Sequence, residues 1–271
     1  MATGRWPRSR NGPHAMCLIV FAWQTHPRYP LVLVANRDEF YGRPTTPAHW
    51  WPDVPGLLAG RDESAGGTWL AVGERGRWAA VTNYREGSPV PGMRSRGVLP
   101  VDFVSGSESP VAFAAGLGAR GAEYGGFNLL AGDADTLTWA SNRRVGHQVV
   151  APGIHTLSNH LLNTPWPKAE LVRLKLQHLL HADDFALEEL LAVLADRTPF
   201  DDRSLPVTGV GLETERVLSS PFIVSDDYGT RCTTVLLVDS SGQMLFAEQS
   251  FVAGERVGDP VVYKVPRSSA T

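Results

Sequence analysis

The chain has 271 residues, 43% of them hydrophobic, and a formal net charge of −3 from 25 basic and 28 acidic side chains. That suits one large globular domain or two small ones, and without a basic stripe it speaks against a nucleic-acid partner. No apolar stretch approaches the roughly 18 residues of a bilayer-crossing helix, and only two cysteines, Cys17 and Cys232, argue for a reducing, cytoplasmic compartment rather than a disulfide framework.

Residues 1–15 carry Arg5, Arg8 and Arg10 with no acidic residue and no apolar core, so they are not a secretory signal. They read as a disordered extension, a removable segment or a mis-assigned start, with the domain expected over 16–265. Strands are expected over 17–23 and 31–36, parted by a turn-forming stretch that holds Pro27 and Pro30. A long loop rich in proline and tryptophan follows over 42–67, including Trp50-Trp51-Pro52. Residues 69–72 and 78–82 pair around Gly73-Glu74-Arg75-Gly76. Helices are expected over 95–104 and 109–117, with serine at each N-cap. Strands return over 127–131 and 136–140, and Trp166-Pro167 opens the longest helix, to about 180. A further helix covers 185–194, strands cover 222–224, 233–239, 244–248 and 261–265, and 266–271 is a flexible tail. Runs such as Val235-Leu236-Leu237-Val238 imply strands buried on both faces. Two central sheets covered outside by helix layers satisfy that pattern.

The chemistry centres on Met16-Cys17. A chain that begins at Cys17 carries a thiol, of ordinary pKa about 8.5, beside an α-amine of about 7.7–8.0 that can act as its base. The alternative is an inert buried cysteine. Other polar motifs fall at strand ends: Asn36-Arg37-Asp38-Glu39, Gly66-Gly67-Thr68-Trp69, Thr82-Asn83, Ser158-Asn159-His160 and Tyr228-Gly229-Thr230-Arg231-Cys232, with Pro165-Trp166-Pro167-Lys168 before the long helix. Adjacent strand residues face opposite ways, so Arg37 and Asp38 reach one site only if their strand ends at Asn36. By the same alternation Cys232 lies opposite Arg231, which disfavours a Cys17–Cys232 disulfide.

This ordered set resembles the NRDE family, also called the transport and Golgi organisation protein 2 family, over nearly all of 16–265. That family in turn is similar to the N-terminal-nucleophile (Ntn) hydrolases of the choloylglycine and penicillin V acylase type. The resemblance implies an α+β fold, a four-layer αββα sandwich of two mainly antiparallel sheets flanked by helices. It implies that Cys17 attacks a carboxamide carbon, that Asp38 orients the α-amine, and that Arg37 or Arg231 favours the thiolate. Asn159 or Asn83 would hold the oxyanion. Here Arg37 and Asp38 are adjacent, whereas the acylases separate them.

The expected partner is a small amide or acyl ligand, and this chemistry requires no cofactor. The resemblance also offers a non-catalytic alternative, a carrier of haem or of acyl-CoA or lipid, with Cys17 as axial ligand in the haem case. Covalent haem is excluded by the lack of Cys-x-x-Cys-His. His178 and His181, or His155 and His160, lack cysteine or carboxylate partners at metal-ligand spacing. Gly66-Gly67 precedes a strand, not a helix, and so is not a dinucleotide loop.

Overall fold

The computed structural model describes residues 16–86 and 93–265. The extension over 1–15 and the tail over 266–271 lie outside the described residues. The first sheet has six strands in the order β10-β1-β2-β11-β12-β13: β1 (Met16–Trp23), β2 (Leu31–Phe40), β10 (Gly153–Leu157), β11 (Tyr228–Val238), β12 (Met244–Val252) and β13 (Glu255–Val265). The second has seven in chain order: β3 (Thr45–Trp50), β4 (Leu57–Asp62), β5 (Leu70–Gly73), β6 (Trp78–Asn83), β7 (Phe127–Gly132), β8 (Leu137–Ser141) and β9 (His147–Val149). Every strand pairing is antiparallel. Helices α1 (Val98–Ser105) and α2 (Pro110–Arg120) cover the second sheet. Helices α3 (Pro167–Leu179) and α4 (Leu187–Ala192) cover the first, and the short α5 (Leu212–Val217) lies beyond them in the chain.

The result is the four-layer αββα sandwich that the resemblance implied. Alternation along each strand divides its apolar residues between two cores. Ile19, Phe21, Leu33, Leu236 and Phe246 meet Leu58, Leu70, Trp78 and Trp139 between the sheets. Leu18, Val20, Val32, Val34 and Val235 point the other way, onto Val172 and Leu176 of α3 and Leu190 of α4. On the far side, Ala59, Ala71, Ala79 and Ala131 leave room for Leu99, Phe103 and Phe113 to settle on the second sheet. This double burial is why β1 and β2 are continuous apolar runs.

Several expectations need correction. The stretch over 42–67 is not one loop but holds β3 and β4, whose register shifts between Thr46 and His49. Pro47 falls in that irregularity on an edge strand, where a proline is tolerated, so it hid a strand. Residues 222–224 form only an isolated bridge, Val224 to Gly229, although Phe222 and Ile223 are buried. The first helix begins at Val98, with Gly97 as its cap, not at Ser95. Ser109 does cap α2, accepting from the Ala112 N–H at 3.2 Å. Strands β9 and β10 and helix α5 had no clear apolar period to announce them. Most consequential, β2 continues to Phe40 rather than ending at Asn36.

Phe246 sits between the sheets with no exposure. Phe246→Ala is expected to lower unfolding free energy by about 3–5 kcal/mol, checked by denaturant titration with an unchanged slope.

Candidate active site

Because β2 stays extended, its last four polar residues alternate through the sheet. Asn36, Arg37, Asp38 and Glu39 are all buried. Register pairs Cys17 with Arg37 and Arg37 with Cys232, so these three side chains form a row on the face between the sheets. Met16, Asp38 and Thr230 form the next row, on the face toward the helices. Arg37 and Asp38 therefore do not share one face: the arginine lies on the side of the thiol, the aspartate on the side of the backbone N-terminal to Cys17.

On the inter-sheet face, the Arg37 guanidinium stacks on Trp69, 4.6 Å from the ring centroid. It lies 3.4 Å from Asp62 and 3.6 Å from Glu39, and Arg43 binds the same two carboxylates. Trp69 rests on the bare backbone of Gly60, where a Cβ would come within 2.3 Å of the ring. Arg231 is the extra residue of a β-bulge in β11, between Thr230 and Cys232. Its guanidinium donates to the carbonyls of Phe40 and Arg43, at 2.7 and 3.1 Å, and thus ties down the end of β2. The same bulge brings Cys232 level with Cys17, two strands away. At about 4.8 Å per strand the two Cα atoms are roughly 10 Å apart, too far for a disulfide, and both cysteines are free.

A polar strap that follows β10 of the first sheet lies against Cys17 and is tied to β6 of the second. Ser158 Oγ lies 3.1 Å from the Cys17 carbonyl oxygen and 3.2 Å from Asn159 Oδ1. Thr82 donates to the Ser158 carbonyl at 2.7 Å, and Asn159 Nδ2 donates to the Asn83 carbonyl at 3.1 Å. Asn159 is thus linked to the cysteine backbone through Ser158, and Asn83 joins only through its main-chain carbonyl. Arg96, which the sequence reading missed, donates to the Gly126 carbonyl at 2.8 Å and lies within electrostatic reach of Glu86 and Cys17.

On the helix face, Tyr228 Oη accepts from the Met16 N–H at 3.0 Å and donates to the Asp38 carbonyl at 3.1 Å. Asp38 Oδ1 accepts from Thr230 at 2.7 Å, while Oδ2 is buried with no hydrogen-bond partner. Lys168, second residue of α3, is buried facing Asp38 and donates to the Leu218 carbonyl at 2.8 Å. Arg85 forms a buried ion pair with Glu215 of α5, and its guanidinium lies 4.6 Å from the Trp166 ring centroid. Arg85 and Glu215 carried no sequence signal, because their pairing spans 130 positions. Lys168 was quoted only as part of a motif.

The electrostatics follow from burial. Desolvation pushes the Cys17 thiol up to about 12, the Asp38 charge adds to the rise, and Arg37 only partly opposes it. With Met16 attached, Cys17 is therefore a neutral thiol bearing an amide in place of an amine. Burial likewise raises the Asp38 carboxyl and lowers the Lys168 ammonium, bringing the two toward one another.

An αββα sandwich with a cysteine at the head of its first strand, charged groups on both faces of the next strand and an asparagine strap beside it defines the class of structure. The chain belongs to the Transport and Golgi organisation 2 family, whose model matches residues 16–253. It is 35% identical over 268 residues to the Transport and Golgi organization protein 2 homolog of Bos taurus, covering 89% of this chain and 95% of that protein. Against the Homo sapiens homolog it is 33% identical over 258 residues, covering 88% and 94%. Against the Drosophila melanogaster protein it is 26% identical over 275 residues, covering 90% and 95%. Among solved structures, a Caenorhabditis elegans N-acylethanolamine-hydrolyzing acid amidase ortholog matches at TM-score 0.48 and 9% identity, over 82% of this chain and 92% of that one. A C2A mutant of the conjugated bile acid hydrolase from Clostridium perfringens matches at TM-score 0.48 and 7% identity, over 94% and 98%.

A thiol held near 12 is about one part in ten thousand thiolate at pH 8. Iodoacetamide is expected to alkylate Cys17 of the folded, Met16-containing chain at least about a thousandfold more slowly than free cysteine. Peptide mass mapping reads this directly.

Proposed function

We propose that this chain, once it begins at Cys17, is a cysteine amidohydrolase that cleaves a small N-acyl amide through an acyl-enzyme. The observation that carries the reading is the buried, unpartnered Asp38 Oδ2. It belongs to the residue directly across from Met16, one register position from the Cys17–Arg37 pair. Loss of everything before Cys17 turns the Cys17 nitrogen into an amine, and the orphaned carboxylate oxygen supplies its acceptor. Burying a carboxylate without a partner is costly, and an ammonium at this point removes the cost. The family match beginning at Met16 also supports the reading.

The steps balance as follows. The Cys17 amine takes the thiol proton, and the sulfur attacks the amide carbon. The tetrahedral oxyanion collapses, the C–N bond breaks, and the ammonium returns its proton to the leaving nitrogen. Water, deprotonated by the same amine, then attacks the thioester and releases the acid and the thiol. Asn159 Nδ2 has one hydrogen committed to the Asn83 carbonyl, and its second is available to the oxyanion. Arg37, beside the sulfur, favours thiolate over thiol. Arg231 acts one step back, by anchoring the end of β2.

A second reading applies to a chain that keeps Met16. There the neutral thiol cannot attack, and the fold would serve as a carrier of an acyl or lipid ligand. Haem fits poorly: an axial cysteine needs an apolar slot, whereas Cys17 is flanked by Arg37, Glu39, Arg96 and Asn159.

Intact mass of the protein purified from its native cell is expected to give a chain that begins at Cys17. That chain should hydrolyse a member of an N-acyl amide panel and trap an acyl adduct on Cys17. Turnover should vanish in Cys17→Ala, and in Asn159→Ala kcat should fall about 10²–10³-fold. A native chain that retains Met16, or turnover unchanged in Cys17→Ala, overturns the proposal.

A further inference from the structure

Lys168 has no role in the reaction as written, yet it is among the most confined charged groups of the molecule. It is 3% exposed, and its ammonium donates to the Leu218 carbonyl. A methionine would fill the same space without desolvating an ammonium, so a lysine here costs stability unless its charge is used. Its position in the first turn of α3 adds to the cost, since the positive end of the helix dipole disfavours a cation there. The groups that face it come from every neighbouring element: Asp38 of β2, Cys17 of β1, Arg85 after β6 and Glu215 of α5, with Tyr228 of β11 against Asp38 and Arg85. Arg85 is already paired with Glu215. Asp38 is the anion left over for Lys168.

We propose that Lys168 is a positioning residue for this site: its ammonium shares the Asp38 carboxylate with the Cys17 α-amine and thereby keeps that amine free to accept a proton. The inference rests on the hydrolase reading and deepens it. With one carboxylate serving two amines, protonation of either disfavours protonation of the other, because like charges in a buried site repel. With Asp38 alone, the Cys17 ammonium would be held so firmly that it would make a poor base near neutral pH. With Lys168 charged on the other side, the field of Asp38 is largely neutralised and the α-amine loses its proton more readily. Burial works in the same sense on both groups, lowering the Lys168 ammonium and raising the Asp38 carboxyl.

The test needs neither substrate nor turnover. The chain is prepared to begin at Cys17 with ¹⁵N-labelled cysteine, and the α-amine ¹⁵N shift is followed against pH. Removing a neighbouring positive charge raises the pKa of an amine, so Lys168→Met should move the midpoint upward by about one pH unit. Lys168→Gln, which keeps a donor for the Leu218 carbonyl but no charge, should do the same. Lys168→Arg should restore most of the wild-type midpoint. Cooperative thermal unfolding identifies the variants that fold, and either neutral variant suffices. A role in packing alone would lower the melting temperature and leave the midpoint in place. A midpoint unchanged in a folded neutral variant overturns the role of Lys168 and leaves the hydrolase reading standing. Turnover that survives in Cys17→Ala overturns the hydrolase reading, whatever the amine titration gives.

Discussion

Four consecutive polar residues, three of them charged, are buried at the end of β2, and each needs a partner that its neighbour in sequence cannot share. A strand sends successive side chains to opposite faces, so Arg37 and Glu39 are satisfied between the sheets and Asn36 and Asp38 among the helices. Asn36 donates to the Leu194 and Pro221 carbonyls and accepts from Thr233. Arg37 takes Asp62 and the Trp69 face. A buried ion left unpaired costs several kcal/mol, so the second sheet, through Asp62, and the bulged strand β11, through Thr230 and Thr233, are tied to the demands of this one segment. The remainder of the fold supplies the two apolar cores that keep it dry.

The same alternation splits the site across the thickness of the sheet. Sulfur chemistry lies between the sheets, where Arg37, Arg96 and the Ser158–Asn159 strap gather. The groups around the Met16 backbone lie on the helix side, where Asp38 and Tyr228 gather with Lys168 nearby. Cys17 belongs to both because its side chain and its nitrogen leave the strand in different directions. The thiol is thus surrounded by one set of residues and the backbone that precedes it by another.

How much of this was legible follows from the range of each interaction. The double-sided apolar runs of β1, β2 and β11 announced strands buried on both faces, and hence two sheets under helix layers. Cys17 and the Asn36–Glu39 segment were visible because their chemistry is local. Asn159 was found by its motif, but its neighbour Ser158, which lies nearer the Cys17 backbone, was not singled out. Lys168, Arg85 and Glu215 could not be read, since each gains meaning from a partner more than a hundred positions away. The position of Arg37 relative to Asp38 turned on whether β2 stopped at Asn36. Polar residues usually mark a strand end, and here tertiary pairing with Met16, Cys17 and Thr230 overrode that signal.

The bulge at Arg231 makes β11 a strand with two reading phases. Ahead of it, Tyr228 and Thr230 face the helices; beyond it, Cys232, like Leu236, faces the opposite sheet, and Thr233 and Val235 face the helices. One residue of surplus length is what reconciles the two halves. In this chain the register therefore depends on the length of the segment more than on its residue types. A deletion of a single codon between the Tyr228 and Cys232 positions would leave the composition nearly intact while turning either the Asp38 anchor or the inter-sheet core inside out.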